Sequence, residues 1–501
     1  MNRPQRIAAF FLLIVLIAAA IVLAMRLAAP TRGSLATAPV EARPVYDGSQ
    51  PLRLELISGL DAHNERADLG WLEIELRRAL ARAGEPLASD AEHPTYTLRV
   101  AVAASGERAL LAIVAPDYVL ERERDIELPA PTRLGMMQGL MRQLPRFLGT
   151  QSDWTSFTGA RNAAAYDAYT RALAALIGSS SHGFTRPPAA ARSRTVERLE
   201  YAIRAEPRFV RARALLALSY LSLGGEDEPS LTQLAESSAA RALQADADIA
   251  DAHAALGIVA LRRNQWMQAH EQLRTALRLE PDNPAALEAL ACLLADVGHY
   301  ERARPVARRA LALQPANIGA GECAAYLHTA EAARSDESPA QEDLATRNVM
   351  AAQVHALGAI LAGDLSTAER LLRNALDPAQ RRSYAAPMLQ AAKDARHTPA
   401  ALRAITRAAN EGRISAASEI LCGAALRQEQ FVFNRMARLQ RERAHVPLRI
   451  FWIPQADFLR RHPGFAAILD AAEIASYWQE QGAPDVCAHE PRTYGCRLVR
   501  N

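Results

Sequence analysis

One pattern of small and apolar residues returns at a fixed interval between about Val210 and Asn317. That interval constrains the fold more than any other feature of the chain. Ala269, Ala276 and Pro281 reappear as Ala303, Ala310 and Pro315, each 34 residues on, and Leu256 with Gly257 is matched by Leu290 with Ala291. Self-similarity of this length marks a stacked array in which no single unit buries its own apolar face. Within Ala250 to Asn283, the residues Leu256, Gly257 and Ala260 share one helical face, and Ala269, Leu273 and Ala276 share another thirteen residues later. Each unit therefore reads as two antiparallel helices. Pro281, Asp282 and Asn283 stop the second helix before the next unit begins.

Residue by residue, the unit resembles the tetratricopeptide repeat. Leu256, Gly257, Ala269, Ala276 and Pro281 match its signature positions, and Leu290, Ala303, Ala310 and Pro315 match them again. His253 departs from the family's usual Trp, and Leu273 stands where the second helix usually carries an aromatic. Less faithful units flank this pair, with Leu216, Ala217 and Tyr220 before it and Gly363, Asp364, Ala368, Leu372 and Ala375 after it. The resemblance implies that the first helix of each unit lines a concave wall. On this chain the wall positions include Arg211, Leu218, Asp251, Ile258, Arg262, Glu288, Asp296, Glu322 and Tyr326. A wall of mixed charge and apolar strips suits a helix or an extended peptide of another protein, although the chain's own segments can also cover part of it.

Before the array the chain changes character twice. Ile7 to Met25 is an unbroken apolar run of 19 residues, long enough as a helix to rise roughly 28 Å and cross a hydrocarbon core of about 30 Å. We expect an uncleaved anchor over 7–26, with a cleaved signal peptide as the competing reading, after a short cytoplasmic tail, 1–6, and before a Pro- and Gly-containing tether, 27–50. A bacterial-type reading then gives a single-pass inner-membrane protein with most of the chain periplasmic. From 51 to 150 the period becomes that of strands. Leu52, Leu54 and Leu56 alternate with Arg53 and Glu55, and Tyr96, Leu98, Val100 and Val102 alternate likewise. Helical spacing separates these two strands, two more strands follow, and a second helix closes the segment. This element order resembles the TolB-like domain that precedes tetratricopeptide repeats in membrane-bound bacterial regulators of the CadC type. The expected fold class is mainly α, a tetratricopeptide-type solenoid over 160–380 preceded by a small α/β domain and one transmembrane helix. Degenerate helical repeats and an aromatic-rich cap follow over 381–501.

Candidate chemistry is sparse. The formal charge of +3 and the lack of a basic block give nucleic-acid binding no support. The chain holds no phosphate-cradling glycine loop, nucleophile elbow or zinc-protease helix, so no cofactor, metal or catalytic residue is assigned. Cys292, Cys323 and Cys422 lie in Ala- and Leu-rich helical stretches and read as small buried thiols. Cys487 and Cys496 lie in a polar tail, where a disulfide is open to them outside a reducing compartment. The expected function is a non-enzymatic, membrane-tethered scaffold or adaptor that binds partner proteins. The alternative is a periplasmic sensory subunit whose effector is on another chain.

Overall fold

A computed structural model describes residues 46, 51–58, 69–85, 96–103, 105–116, 118–150, 153–181, 189–223, 229–314, 318–332, 349–442 and 444–499. The described chain from Tyr46 onward is one compact unit, and residues 1–45 lie outside the described residues. Strand β1 (Leu52–Ser58) pairs in parallel with β2 (Tyr96–Val102), with Leu54 opposite Leu98. A parallel pair needs a crossover, and α1 (Gly70–Arg82) supplies it. Strands β3 (Arg108–Val114) and β4 (Leu120–Glu127) extend the sheet antiparallel, in the order β1-β2-β3-β4. Helix α2 (Arg133–Leu148) starts where the Thr132 hydroxyl accepts from the Gly135 amide and ends at Gly149, whose φ of 84° is left-handed. Leu72, Leu76, Met137 and Leu144 from the helices share one core with Leu52, Leu98, Val100 and Leu111 from the sheet.

Helices alone follow. The principal ones up to Arg441 are α3 (Ala163–Ser181), α4 (Ala189–Ala205), α5 (Val210–Leu223), α6 (Pro229–Ala245), α7 (Ala250–Arg262), α8 (Trp266–Leu279), α9 (Pro284–Asp296), α10 (Tyr300–Leu313), α11 (Ile318–Ala332), α12 (Val349–Ala362), α13 (Leu365–Ala375), α14 (Ala386–Lys393), α15 (Thr398–Asn410), α16 (Ala416–Ala425) and α17 (Glu429–Arg441). The described part is thus mainly helical, with a small four-stranded sheet before the helices. Ala269, Ala276, Ala303 and Ala310 are buried where paired helices cross, as is Leu290, while Leu256 is half-buried. At Gly257 a Cβ would sit 2.6 Å from Leu273 Cγ, so α7 and α8 approach too closely there for any side chain. Pro281 is exposed beyond α8, and Pro315 lies outside the described residues.

The turn inside each pair is also conserved in form. Asn264 and Gly298 are 34 residues apart, and both are left-handed, at φ 59° and 78°. After each, an amide reaches back to the carbonyl five residues earlier: Gln265 to Ala260 and His299 to Leu294. The same turn recurs at Gly363, Gly412 and Arg427, through Asp364 to Ala359, Arg413 to Ala408 and Gln428 to Gly423. This helix-ending motif ties off carbonyls that the helix leaves without partners. It carries the paired-helix geometry beyond the segment where the 34-residue interval is legible.

The placement in an inner membrane needs correction. Among the described residues no helix is long and apolar enough to cross a membrane. These helices put their apolar sides against one another and keep charged outer faces, as with Asp167 and Arg171 on the nineteen-residue α3. The single-pass, periplasmic placement is therefore withdrawn. The run Ile7 to Met25 itself lies outside the described residues.

Candidate protein-binding surface

The wall positions begin beside the sheet. Glu75 on α1 is completely buried and receives two hydrogen bonds from Arg211 on α5, at 2.5 and 2.8 Å. The hydroxyls of Tyr166 and Tyr169 donate to the same carboxylate at 2.9 and 3.1 Å. One turn along α1, Arg78 donates to Asp251 on α7 at 2.9 Å and pairs with Glu280 at 3.3 Å. Asn283 completes the contact by donating to Asp251 at 2.7 Å. Burial disfavours charge on Arg78, but Asp251 and Glu280 outweigh it and raise its pKa well above the ordinary value. A buried ion pair persists only when its remaining hydrogen-bonding capacity is filled, as it is here. Arg211 and Asp251 thus clasp α1 to the first helix pairs.

The carboxyl-terminal segment, 444–499, occupies the wall further along. Asp296, with no exposed surface, accepts from the backbone amide and Nε of Arg449, both at 3.0 Å, and lies 3.1 Å from His445 Nε2. Burial alone would raise the Asp296 pKa, but the Arg449 charge and the His445 hydrogen bond hold it below the usual carboxylate value. The guanidinium of Arg449 also lies 3.9 Å from Glu322 and 5.8 Å from the centre of the Tyr326 ring. Tyr300 returns a hydrogen bond to the Arg449 carbonyl at 2.8 Å.

The end of α9 explains the aromatics of this segment. A helix leaves its last carbonyls without intrahelical donors. Here the Trp452 indole donates to the Asp296 carbonyl at 2.7 Å, the Trp478 indole to Val297 at 2.9 Å, and the Asp485 amide to Gly298 at 2.9 Å. Trp266 of α8 donates in the other direction, to the Ala472 carbonyl at 2.7 Å. Tyr477 is joined to His270 by a 2.8 Å hydrogen bond, and its ring lies 5.7 Å from those of both His270 and His299. Phe451, Trp452, Phe465, Tyr477 and Trp478 are all buried, in one core with Trp266, Leu293 and Leu294. Indoles suit this place because each combines a large apolar body with one donor.

The remaining wall positions are also engaged. Arg262 donates to the Leu221 carbonyl at 2.7 Å, and Leu218 and Ile258 are half-buried against the apolar clusters. Glu288 is half-buried beside Gly319, where a Cβ would meet its carboxylate. The structure therefore brings Arg211 and Asp251 together against α1, and Asp296, Glu322 and Tyr326 together around Arg449 of residues 444–499.

The cysteines are arranged differently from the expectation for two of them. Cys292 on α9 and Cys323 on α11, read as buried thiols, are joined in a disulfide between neighbouring first helices. They lie 31 residues apart, three short of the repeat interval, so Cys323 sits about one helical turn before the position equivalent to Cys292. Arg449 Nη1 is 2.8 Å from Cys323 Sγ, which sets this bridge beside the Asp296 contact. Cys487 and Cys496 form a second disulfide. Cys422 is a buried free thiol whose pKa burial pushes up to about 12. Among the described residues no group of three or more His, Cys, Asp or Glu is gathered as a metal site.

No protein-family model and no curated protein matches the chain. Among solved structures, the chain is similar to a monomeric mutant of IFIT1 with Gppp-AAAA, at 12% identity and a TM-score of 0.27, over 73% of this chain and 72% of that one. A likeness this loose carries no argument about function.

Proposed function

We propose that this protein is a non-enzymatic repeat scaffold of the tetratricopeptide type that binds partner proteins on its outer helical faces. The observation that supports this reading is the occupied wall. Asp296, Glu322 and Tyr326 hold Arg449, and the carbonyls ending α9 hold two indoles, so these helices already hold a protein segment, one supplied by the same chain. A wall filled in this way stiffens the array. Its outer faces then form a preorganised platform, which lowers the ordering cost that a partner's binding must overcome.

Photoreactive side chains placed singly in the full chain test the reading. Tyr201 on α4 and Leu234 on α6 are each 48% exposed, whereas Tyr326 is buried on the wall. Reproducible adducts with particular proteins are expected from the exposed positions and not from Tyr326. Adducts from Tyr326 alone would move the binding surface to the wall, and no protein adduct from any position would end the scaffold reading.

A further inference from the structure

Helix α15 carries an outer stripe whose two arginine side chains no other described residue engages, while its Leu402 is half-buried against the core. Its inner side is Ala401, Ile405 and Ala408, all buried. Its outer side is a shallow, open hollow lined by Leu402, Arg403, Thr406, Arg407, Asn410 and Glu411. Two parallel rows run along this side at intervals of four residues, Leu402-Thr406-Asn410 and Arg403-Arg407-Glu411.

The charges near the hollow are unevenly satisfied. Glu411 is paired with Arg413 at 2.9 Å, Arg396 with Asp394 at 2.7 Å, and Glu369 with both Arg373 and Lys393. The side chains of Arg403 and Arg407 are exposed and make no hydrogen bond or ion pair with any described residue. Like charges four residues apart on a helix repel each other, so the pair weakens α15 unless an anion lies between or across them. From Arg370 to Arg413 the sequence holds nine cations (Arg370, Arg373, Arg381, Arg382, Lys393, Arg396, Arg403, Arg407, Arg413) against three acids (Asp377, Asp394, Glu411). Among the described acids, Asp394 and Glu411 are already engaged.

We propose that this stripe docks an acidic helix of a partner protein. Glutamates or aspartates at i and i+4 would meet Arg403 and Arg407, while an apolar residue between them rests on Leu402. The spacing of the two guanidinium groups matches carboxylates one helical turn apart, and each can receive a two-pronged contact. Nucleic acid fits less well, since no aromatic side chain lines the hollow for base stacking. The proposal rests on the scaffold reading and gives it a surface and a partner chemistry.

The test uses the full chain and a fluorescently labelled, alanine-based helical peptide with glutamates and leucines in that pattern. Binding is followed by anisotropy at low salt. Saturable binding is expected, weakened at least about tenfold when the glutamates become glutamines or when the protein carries R403Q and R407Q together. R396Q, whose native side chain is already paired, should leave affinity within about twofold. Both substituted arginines are exposed and repel each other, so a thermal melt should show no loss of stability. Equal binding of the glutamine peptide, or no effect of R403Q and R407Q, would overturn the proposal. So would tighter, Arg403-dependent binding of a single-stranded oligouridine. If photo-adducts persist at Tyr201 or Leu234 while the acidic peptide fails to bind, the docking surface is wrong and the scaffold stands.

Discussion

Arg449 and Asp296 are 153 residues apart in sequence, yet the backbone amide and Nε of the arginine both lie 3.0 Å from one oxygen of the aspartate. Neither side chain keeps appreciable contact with water. The pair fixes residues 444–499 against the end of α9, and the indoles of Trp452 and Trp478 satisfy the carbonyls immediately beside it.

Removing one member of such a pair strands the other in a dry site. Arg449→Met leaves the Asp296 carboxylate with one fewer cation and should cost about 3–5 kcal/mol in urea denaturation. Asp296→Ala should cost a similar amount, because His445 and Arg449 both lose their acceptor. Combining the two should lose less than their sum, since the double variant leaves no uncompensated charge at that point. Strict additivity would show that the contact contributes nothing to docking the segment.

The disulfides are testable by alkylation. Denatured but unreduced protein should take up one thiol label, at Cys422, and five after reduction. Closing a loop of this length restricts the unfolded chain, so replacing Cys292 and Cys323 with alanine should cost about 3–4 kcal/mol. Uptake of three labels without reduction would show that one of the two bridges is not formed.

The helix pairs were legible because a side chain repeated every 34 residues must meet the same environment each time, and Ala269, Ala276, Ala303 and Ala310 do. The order of strands and helices before them was legible from alternation, as at Leu52 and Leu54 against Arg53. What occupies the wall was not legible. Asp296 could be placed on that wall from the repeat, but no local pattern connects it to an arginine 153 residues later. Glu75 looks like any residue of a polar helix face until Arg211 is seen to reach it. The Cys292–Cys323 bridge was hidden because its spacing falls one turn short of the repeat, so aligning units did not align the cysteines. The membrane expectation came from Ile7 to Met25 alone, and the described helices share none of that character.

Acid should loosen the carboxyl-terminal segment. Burial, reinforced by the charges of Arg302 and Arg274 and by His299, lowers the His270 pKa to about 4 from an ordinary 6.5. Burial lowers that of His299 as well. Below 6.5 the unfolded chain binds protons that the folded one refuses, so this contribution is whole above 6.5 and declines as pH falls toward 4. Asp296, held below its ordinary 3.8, acts in the same direction at lower pH: its contribution is present above that value and is lost as pH drops through the folded one. The midpoint of thermal unfolding should fall between pH 6.5 and 4, and His270→Gln should flatten that limb. A midpoint independent of pH across this window would contradict the buried, neutral imidazoles.

Two glycines separate backbone strain from docking. Gly298 and Gly363 both sit in the left-handed turn between paired helices, at φ 78° and 85°. A Cβ at Gly363 meets nothing within 4 Å, so Gly363→Ala should cost only the conformational penalty, about 1 kcal/mol. At Gly298 the same Cβ would lie 2.7 Å from Pro484 Cβ and 3.1 Å from the Trp452 ring. Proline cannot swing aside, and the ring is held by its bond to the Asp296 carbonyl. Gly298→Ala should therefore cost about 1–3 kcal/mol more than Gly363→Ala, through overpacking. It should also raise protease cleavage within 444–499 and shift tryptophan emission to the red, neither of which Gly363→Ala should do. Equal losses at the two glycines, with emission unchanged, would mean that the loop at Pro484 does not rest on the turn ending α9.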